Sequence, residues 1–155
     1  MSARTLRIVA GVLGLALLAI AAGLLIGWTW VGNTSTAAKS GVSITSVKAT
    51  PGQIEPIDVL TIGTGLHNAA DRLDNVTVEL TVYDQAGNAV LHEKQSSVGL
   101  SHDADQAVYW IWRIPQRLQD GPYAVGIAVY DTGSRALLAR NDQAATFRVA
   151  RSGDR

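Results

Sequence analysis

The feature that most constrains this chain is an unbroken apolar run from Ile8 to Ile26. The run contains no charged residue and no proline. Its length matches the roughly 20 residues that a helix needs to cross a hydrocarbon core of about 30 Å. Because a single segment in lipid satisfies all its backbone N–H and C=O groups only as a helix, the run predicts a transmembrane helix over residues 8–27.

The charges that flank the run predict its orientation. Arg4 and Arg7 precede the run, and no basic residue follows it until Lys39. Positively charged flanks stay on the cytoplasmic side, so we expect residues 1–7 to be cytoplasmic and the C-terminal part to be extracytoplasmic. Two tryptophans directly after the run are typical of the membrane–water interface.

A cleaved signal peptide is the alternative interpretation of this N-terminus. Small residues at the preceding positions would suit cleavage after Ala37 or Ala38. Secretory hydrophobic regions usually have only about 7–15 residues, and this longer run favours an uncleaved anchor. Residues 28–41, which end in small and polar side chains, are interpreted as an interfacial segment followed by a flexible linker.

The charge distribution argues against a nucleic-acid partner. Residues 1–40 carry three basic residues and no acidic one, which leaves 10 Lys and Arg against 13 Asp and Glu in the remainder. Binding to phosphates depends on clustered Lys and Arg, and a mildly acidic domain does not provide them. We therefore expect the membrane and a protein of the cell envelope as partners, with carbohydrate as a further possibility.

The sequence contains no residue set typical of catalysis or of a cofactor. It has no cysteine, which excludes disulfides and thiolate metal sites. It shows no nucleophile–histidine–acid spacing, no paired carboxylates on one strand and no glycine-rich phosphate loop. The segment from His102 to Asp105 offers oxygen and nitrogen ligands for calcium, but a solvated turn is favoured, and His67 and His92 are interpreted as surface residues.

Alternating apolar and polar residues predict an all-β domain over residues 42–150, followed by a tail over 151–155. Val76–Tyr83 shows the pattern best, because its even-numbered residues are all apolar and its odd-numbered ones are Thr, Glu, Thr and Tyr. About seven short strands with turn signals roughly every ten residues favour an antiparallel β-sandwich. The predicted strands are 42–49, 58–66, 76–83, 89–95, 106–113, 123–130 and 144–149, with long loops at 67–75, 96–105 and 131–141.

The segment Leu118-x-x-Gly121-x-Tyr123 matches the tyrosine-corner pattern of immunoglobulin-like and fibronectin-like sandwiches. It predicts that the Tyr123 hydroxyl bonds back to the upstream backbone. Trp110 and Trp112 lie two residues apart on a predicted strand. They could form a platform for sugar rings, but burial in the core is favoured for such tryptophans. Trp112, Leu118, Gly121 and Tyr123 are thus predicted to be structural residues.

Four segments resemble immunoglobulin-like modules that are appended to bacterial extracellular glycoside hydrolases and other surface proteins. The segments are DNVTVELTVYDQAGNAV (74–90), YWIWRIP (109–115), LQDGPYAVGIAVYD (118–131) and NDQAATFRV (141–149). The resemblance implies a single immunoglobulin-like, fibronectin III-like sandwich. Many such modules carry aromatic residues where this chain has Thr132-Gly133-Ser134-Arg135. That difference weakens the carbohydrate-binding interpretation.

The outward face of the sheet built from 76–83, 123–130 and 144–149 is the predicted partner-binding surface. Its small residues Ala124, Gly126 and Ala128 suggest a shallow, flat strip, although an ordinary solvated face is the alternative. The candidate contact residues are Glu79, Thr81, Tyr83, Tyr130 and Arg148.

Together these features predict a single-pass membrane protein that displays one non-catalytic interaction or structural module outside the cytoplasm. The alternative function is a tethered or secreted carbohydrate-binding accessory module. An enzymatic function has no residue set to support it. No cofactor and no metal site are predicted.

Overall fold

The computed structural model of this protein describes residues 36–37 and 40–153. The predicted transmembrane helix over 8–27 and the cytoplasmic segment 1–7 lie outside the described residues. Within the described part, no helix is long and apolar enough to cross a membrane.

The described part of the chain is all-β, and its strands form two sheets. Seven long strands account for most of it, as the sequence predicts, and two strands of two residues each are added to them. The strands are β1 Thr36–Ala37, β2 Val42–Thr50, β3 Gln53–Ile54, β4 Val59–Asn68, β5 Leu73–Tyr83, β6 Ala89–Leu100, β7 Ala104–Arg113, β8 Gly121–Asp131 and β9 Leu137–Val149.

The two sheets differ in size and are named accordingly. The large sheet has the strand order β1-β9-β8-β5-β6, and β3 joins it by pairing with β9 in parallel. The small sheet has the order β2-β4-β7, and all its pairs are antiparallel. Consecutive strands repeatedly change sheets, which is the wiring of an immunoglobulin-like β-sandwich.

The core lies between the sheets and follows the predicted alternation. On β5, the even-numbered residues from Val76 to Val82 are fully buried. Across the core, Leu60, Ile62 and Leu66 of β4 are also fully buried. Strands β4 and β5 therefore direct alternate apolar side chains inward, which is how a sheet with one packed face stabilises itself.

The tyrosine corner predicted from Tyr123 is confirmed. Its hydroxyl donates a hydrogen bond of 2.7 Å to the backbone oxygen of Gln119. The ring stacks on Phe147, with centroids 5.4 Å apart and planes 15° from parallel. Burial, followed by the nearby carboxylates of Asp84 and Asp120, raises the pKa of Tyr123. The hydroxyl therefore stays protonated and remains a donor at neutral pH.

Trp110 and Trp112 were predicted to lie in the core. This prediction is confirmed for Trp110 and partly for Trp112. Trp110 is 7% exposed. Trp112 is half-buried and meets the ring of Phe147 edge-on, with centroids 6.2 Å apart. Neither ring lies open on a sheet face, so the sugar platform suggested by their spacing is absent from β7.

The three long loops predicted from polar composition are wrong, because strands extend into all of them. Residues 67–75 are mostly the ends of β4 and β5, and residues 96–105 are largely β6 and β7. The segment 131–141 includes the end of β8 and the start of β9. Most polar side chains at these strand ends face solvent, and the buried Asn68 is satisfied by hydrogen bonds, while the backbone stays paired with neighbouring strands.

Candidate functional site

The predicted contact residues do lie on the large sheet, but the structure does not bring them together. Tyr130 pairs with Thr77 at one end of β8, and Arg148 pairs with Pro122 at the other. Eight residues of extended strand separate these ends, a span of about 26 Å at roughly 3.3 Å per residue. Glu79, Thr81 and Tyr83 lie between them. The five residues are thus distributed along a face and do not form one cluster.

The flat strip expected around Gly126 is covered by the chain itself, which corrects the prediction. The pairing of β8 with β9 jumps from Val125↔Ala145 to Ile127↔Asn141, so three residues of β9 bulge opposite Gly126. A Cβ placed on Gly126 would lie 3.2 Å from the backbone oxygen of Asp142 and 3.2 Å from the ring of Tyr83. Glycine suits this close approach, and Gly126 is buried.

The Tyr130 end of the large sheet contains a shallow polar groove of ≈ 560 Å³. Thr77 lines this groove, and the Thr77 hydroxyl lies 2.8 Å from the Thr132 hydroxyl. Asp131 accepts hydrogen bonds from the backbone N–H and the hydroxyl of Ser134, and these bonds lower the pKa of Asp131. Hydrogen bonds thus order the Thr77 and Asp131 side of this groove, and Glu79, Lys94 and Arg135 complete its lining.

The small sheet carries the exposed apolar surface of the described chain. Four large apolar side chains are exposed there, and we call them the apolar patch: Ile57 (61%), Val59 (45%), Tyr109 (62%) and Ile111 (79%). The pairs Val59↔Arg113, Thr61↔Ile111 and Gly63↔Tyr109 place three of them on one outer face. Ile57 lies at the same end of the sheet, two residues before Val59. Several large exposed apolar side chains at one end of a sheet are typical of a contact site.

Ile57 occupies a backbone position that usually requires glycine. Its φ is 72°, and a β-branched residue rarely adopts this left-handed conformation. Its N–H donates to the oxygen of Ile114, whose own N–H donates to the oxygen of Asp58. That hydrogen-bond pattern is a G1 β-bulge, in which the first residue is normally glycine. The backbone of Ile57 is therefore strained although its apolar side chain faces solvent. Such strain is often associated with function.

Tyr109 lies flat against the sheet because its cross-strand neighbour is a glycine. A Cβ on Gly63 would lie 2.8 Å from the Tyr109 ring, which therefore covers the glycine backbone. Both faces of β7 are consequently apolar, with Val108 and Trp110 directed inward and Tyr109 and Ile111 directed outward. The predicted strand over 106–113 is confirmed, but its outward pair Tyr109 and Ile111 was not among the candidate site residues, because single exposed apolar residues are common.

The structure adds one contact at the far end of the small sheet. His67 of β4 places Nδ1 3.0 Å from Asp105 Oδ1 and Nε2 3.6 Å from Asp103 Oδ1. A contact between His67 and this acidic segment was not predicted, because 36 or more residues separate them along the chain. In the part of the chain that is described, no cluster of His, Cys, Asp and Glu has the arrangement of a metal site.

Comparison with known proteins supports the fold alone. No protein-family model and no curated protein matches the chain. Among solved structures, the C-terminal domain of Wzt is similar with a TM-score of 0.65 and 11% identity, covering 79% of this chain and 80% of that domain.

Two larger proteins also contain a similar region. Pseudomonas fluorescens AlkC, an alkylpurine DNA glycosylase bound to DNA, matches with a TM-score of 0.53 and 16% identity over 72% of this chain and 31% of its own. Bacillus subtilis Spo0M, a sporulation control protein, matches with a TM-score of 0.53 and 6% identity over 72% and 50%. At such identities the likeness extends to the immunoglobulin-like β-sandwich and not to any function.

Proposed function

We propose that this chain is a membrane-anchored, extracytoplasmic interaction module without catalytic activity, and that it contacts a protein partner through the apolar patch. The observation that carries the proposal is the strained, solvent-facing Ile57 beside three further exposed apolar side chains. A residue that served stability alone would be glycine at this bulge. Keeping isoleucine there is explained if its side chain contributes to binding.

The proposed surface differs from the one that the sequence favoured. The face of Glu79, Thr81 and Tyr83 is partly closed by the β9 bulge over Gly126. The apolar patch has no such cover from the described residues, since its four side chains are between 45% and 79% exposed. Burying apolar area contributes about 25 cal/mol per Å², so this patch offers the larger driving force for association.

The carbohydrate-binding alternative loses its main support in this arrangement. It depended on exposed aromatic rings, and Trp110 is in the core. Tyr109 is exposed, but it lies among aliphatic side chains that favour a protein surface as the partner. We therefore retain protein binding as the proposed function.

The proposal is tested in intact cells with the full-length, C-terminally tagged chain. A photo-reactive amino acid replaces Ile111 in one variant and Thr146, exposed on the large sheet, in the matched control. We expect a protein adduct from position 111 and none from position 146. Ile57→Gly should weaken the adduct while leaving the melting temperature unchanged or higher. Adducts from position 146 alone, or from neither position, would contradict the assigned surface.

The same cells test the anchoring. We expect the full-length chain in the membrane fraction, with its tag removed by protease added from outside the cytoplasmic membrane. A chain shortened at Ala37 or Ala38 and found outside the membrane would instead establish the signal-peptide alternative.

A further inference from the structure

The strand that carries half of the apolar patch is also an open sheet edge. Among the described strands, β7 pairs with β4 alone. Ile114 directs its N–H and C=O toward β4. Residues of an antiparallel strand alternate in this respect, so Tyr109, Ile111 and Arg113 direct theirs to the opposite, free side. Exposed edges of this kind are templates for adding another strand.

The outward side chains of β7 form a pattern that is complementary to itself. In order they are Asp105, Ala107, Tyr109, Ile111 and Arg113, and all are exposed. If a second β7 runs antiparallel about a two-fold axis at Tyr109, each Asp105 lies opposite Arg113 of the other copy. Ala107 then lies opposite Ile111, so a small side chain meets a large one. Opposite charges and matched sizes across paired strands are stabilising.

We propose that β7 pairs with β7 of a second copy of this chain about a two-fold axis at Tyr109, joining the two small sheets into one. This inference rests on the proposed function, since it names a second copy as the protein that contacts the β7 part of the apolar patch, Tyr109 and Ile111. Backbone hydrogen bonds along the open edge provide affinity, and the charge pairs at its ends select the register. The interface is isologous, because both copies contribute the same strand.

One side chain already hydrogen-bonds to the open edge of β7 and therefore competes with the proposed pairing. Gln95 of β6 donates from Nε2 to the backbone oxygen of Tyr109 at 2.6 Å. In the paired state, the Tyr109 N–H of the second copy takes over this acceptor. Gln95 therefore competes with association, as side chains that protect edge strands do. Gln95→Ala removes the competitor and is expected to increase the dimer fraction.

The absence of cysteine makes the register directly testable by cross-linking. In the proposed register, residue 107 of one copy lies about 5.5 Å from residue 111 of the other between Cα atoms, within disulfide range. Two copies of residue 107 lie about 13 Å apart, because four residues of strand separate them. Full-length Ala107→Cys and Ile111→Cys are co-expressed with different tags and mildly oxidised, alone and together.

We expect a disulfide-linked heterodimer from the mixed pair and little cross-linking from either variant alone. Arg113→Asp in both chains should reduce the heterodimer about tenfold, and adding Asp105→Arg should restore it. Cross-linking that is equal for all combinations, or for Thr146→Cys, reflects random collision and overturns the proposal. A monomeric chain whose position 111 still captures a different protein overturns this inference and leaves the proposed function intact.

Discussion

Each outer face of this sandwich has a glycine in the middle of a strand, and the two glycines are covered in different ways. On the large sheet, the bulge of β9 folds over Gly126 and the Tyr83 ring packs beside it. On the small sheet, Gly63 is covered only by the exposed ring of Tyr109. A glycine in the middle of a strand thus leads to a closed surface in one sheet and to an accessible apolar one in the other.

This difference shows that strand pairing determines which surface remains available. The large sheet has more strands, and the three bulged residues of β9 cover part of its outer face at Gly126. The small sheet has three strands and ends in the open edge of β7. Its outer face is accessible, since Val59, Tyr109 and Ile111 are all exposed there.

The largest expected effect on stability comes from comparing a substitution on the inward side of β7 with one on its outward side. Trp110→Ala removes a buried indole, and we expect a loss of about 3–5 kcal/mol in the free energy of unfolding. Ile111→Thr keeps a β-branched residue at an exposed site, so its cost should stay within about 0.5 kcal/mol. Urea denaturation monitored by tryptophan fluorescence measures both. A large cost for Ile111→Thr would show that the patch belongs to the fold.

The next effect compares the two glycines directly. Gly126→Val forces side-chain atoms against the backbone of Asp142, which cannot move without opening the β9 bulge, and we expect a loss of about 1–3 kcal/mol. Gly63→Val meets only the edge of the Tyr109 ring, an exposed side chain that can move into solvent. Its effect on unfolding should be smaller, but the proposed dimer should weaken. Equal destabilisation by both variants would remove the distinction between a closed and an open face.

The smallest expected effect is on acid sensitivity at the turns of the large sheet. Hydrogen bonds from Asn88 lower the pKa of Asp84, and those from Ser134 lower the pKa of Asp131. A lowered folded-state pKa contributes stability above the unfolded value of about 3.9, and that contribution disappears as the pH falls through the folded value.

Melting temperatures recorded between pH ~6 and ~3 test this contribution. Asn88→Ala and Ser134→Ala should each reduce the drop in melting temperature on acidification. Thr146→Ala, an exposed control on the same sheet, should leave the drop unchanged. If all three variants follow the parent, these turn carboxylates do not contribute to acid sensitivity.

Sequence analysis recovered the features that depend on residues close together along the chain. The alternation of Val76–Tyr83 and the spacing from Leu118 to Tyr123 both predicted what the structure contains. It failed where polar residues lie within strands. Asn68 is fully buried, yet its side chain bonds the backbone oxygens of Asp71 and Leu100. Because the Leu100 acceptor lies 32 residues further along the chain, composition alone made this strand end resemble a loop.

Which side of a clearly alternating strand faces the core follows from the sequence, because the two-residue period of a strand results from its covalent geometry. What becomes of the outward sides depends on how the strands pack. The cover over Gly126, the left-handed Ile57 and the open edge of β7 all depend on which strands become neighbours. The partners of β4 and β7 lie 36 to 54 residues apart along the chain, so this accessible surface depends on long-range packing that no local pattern encodes.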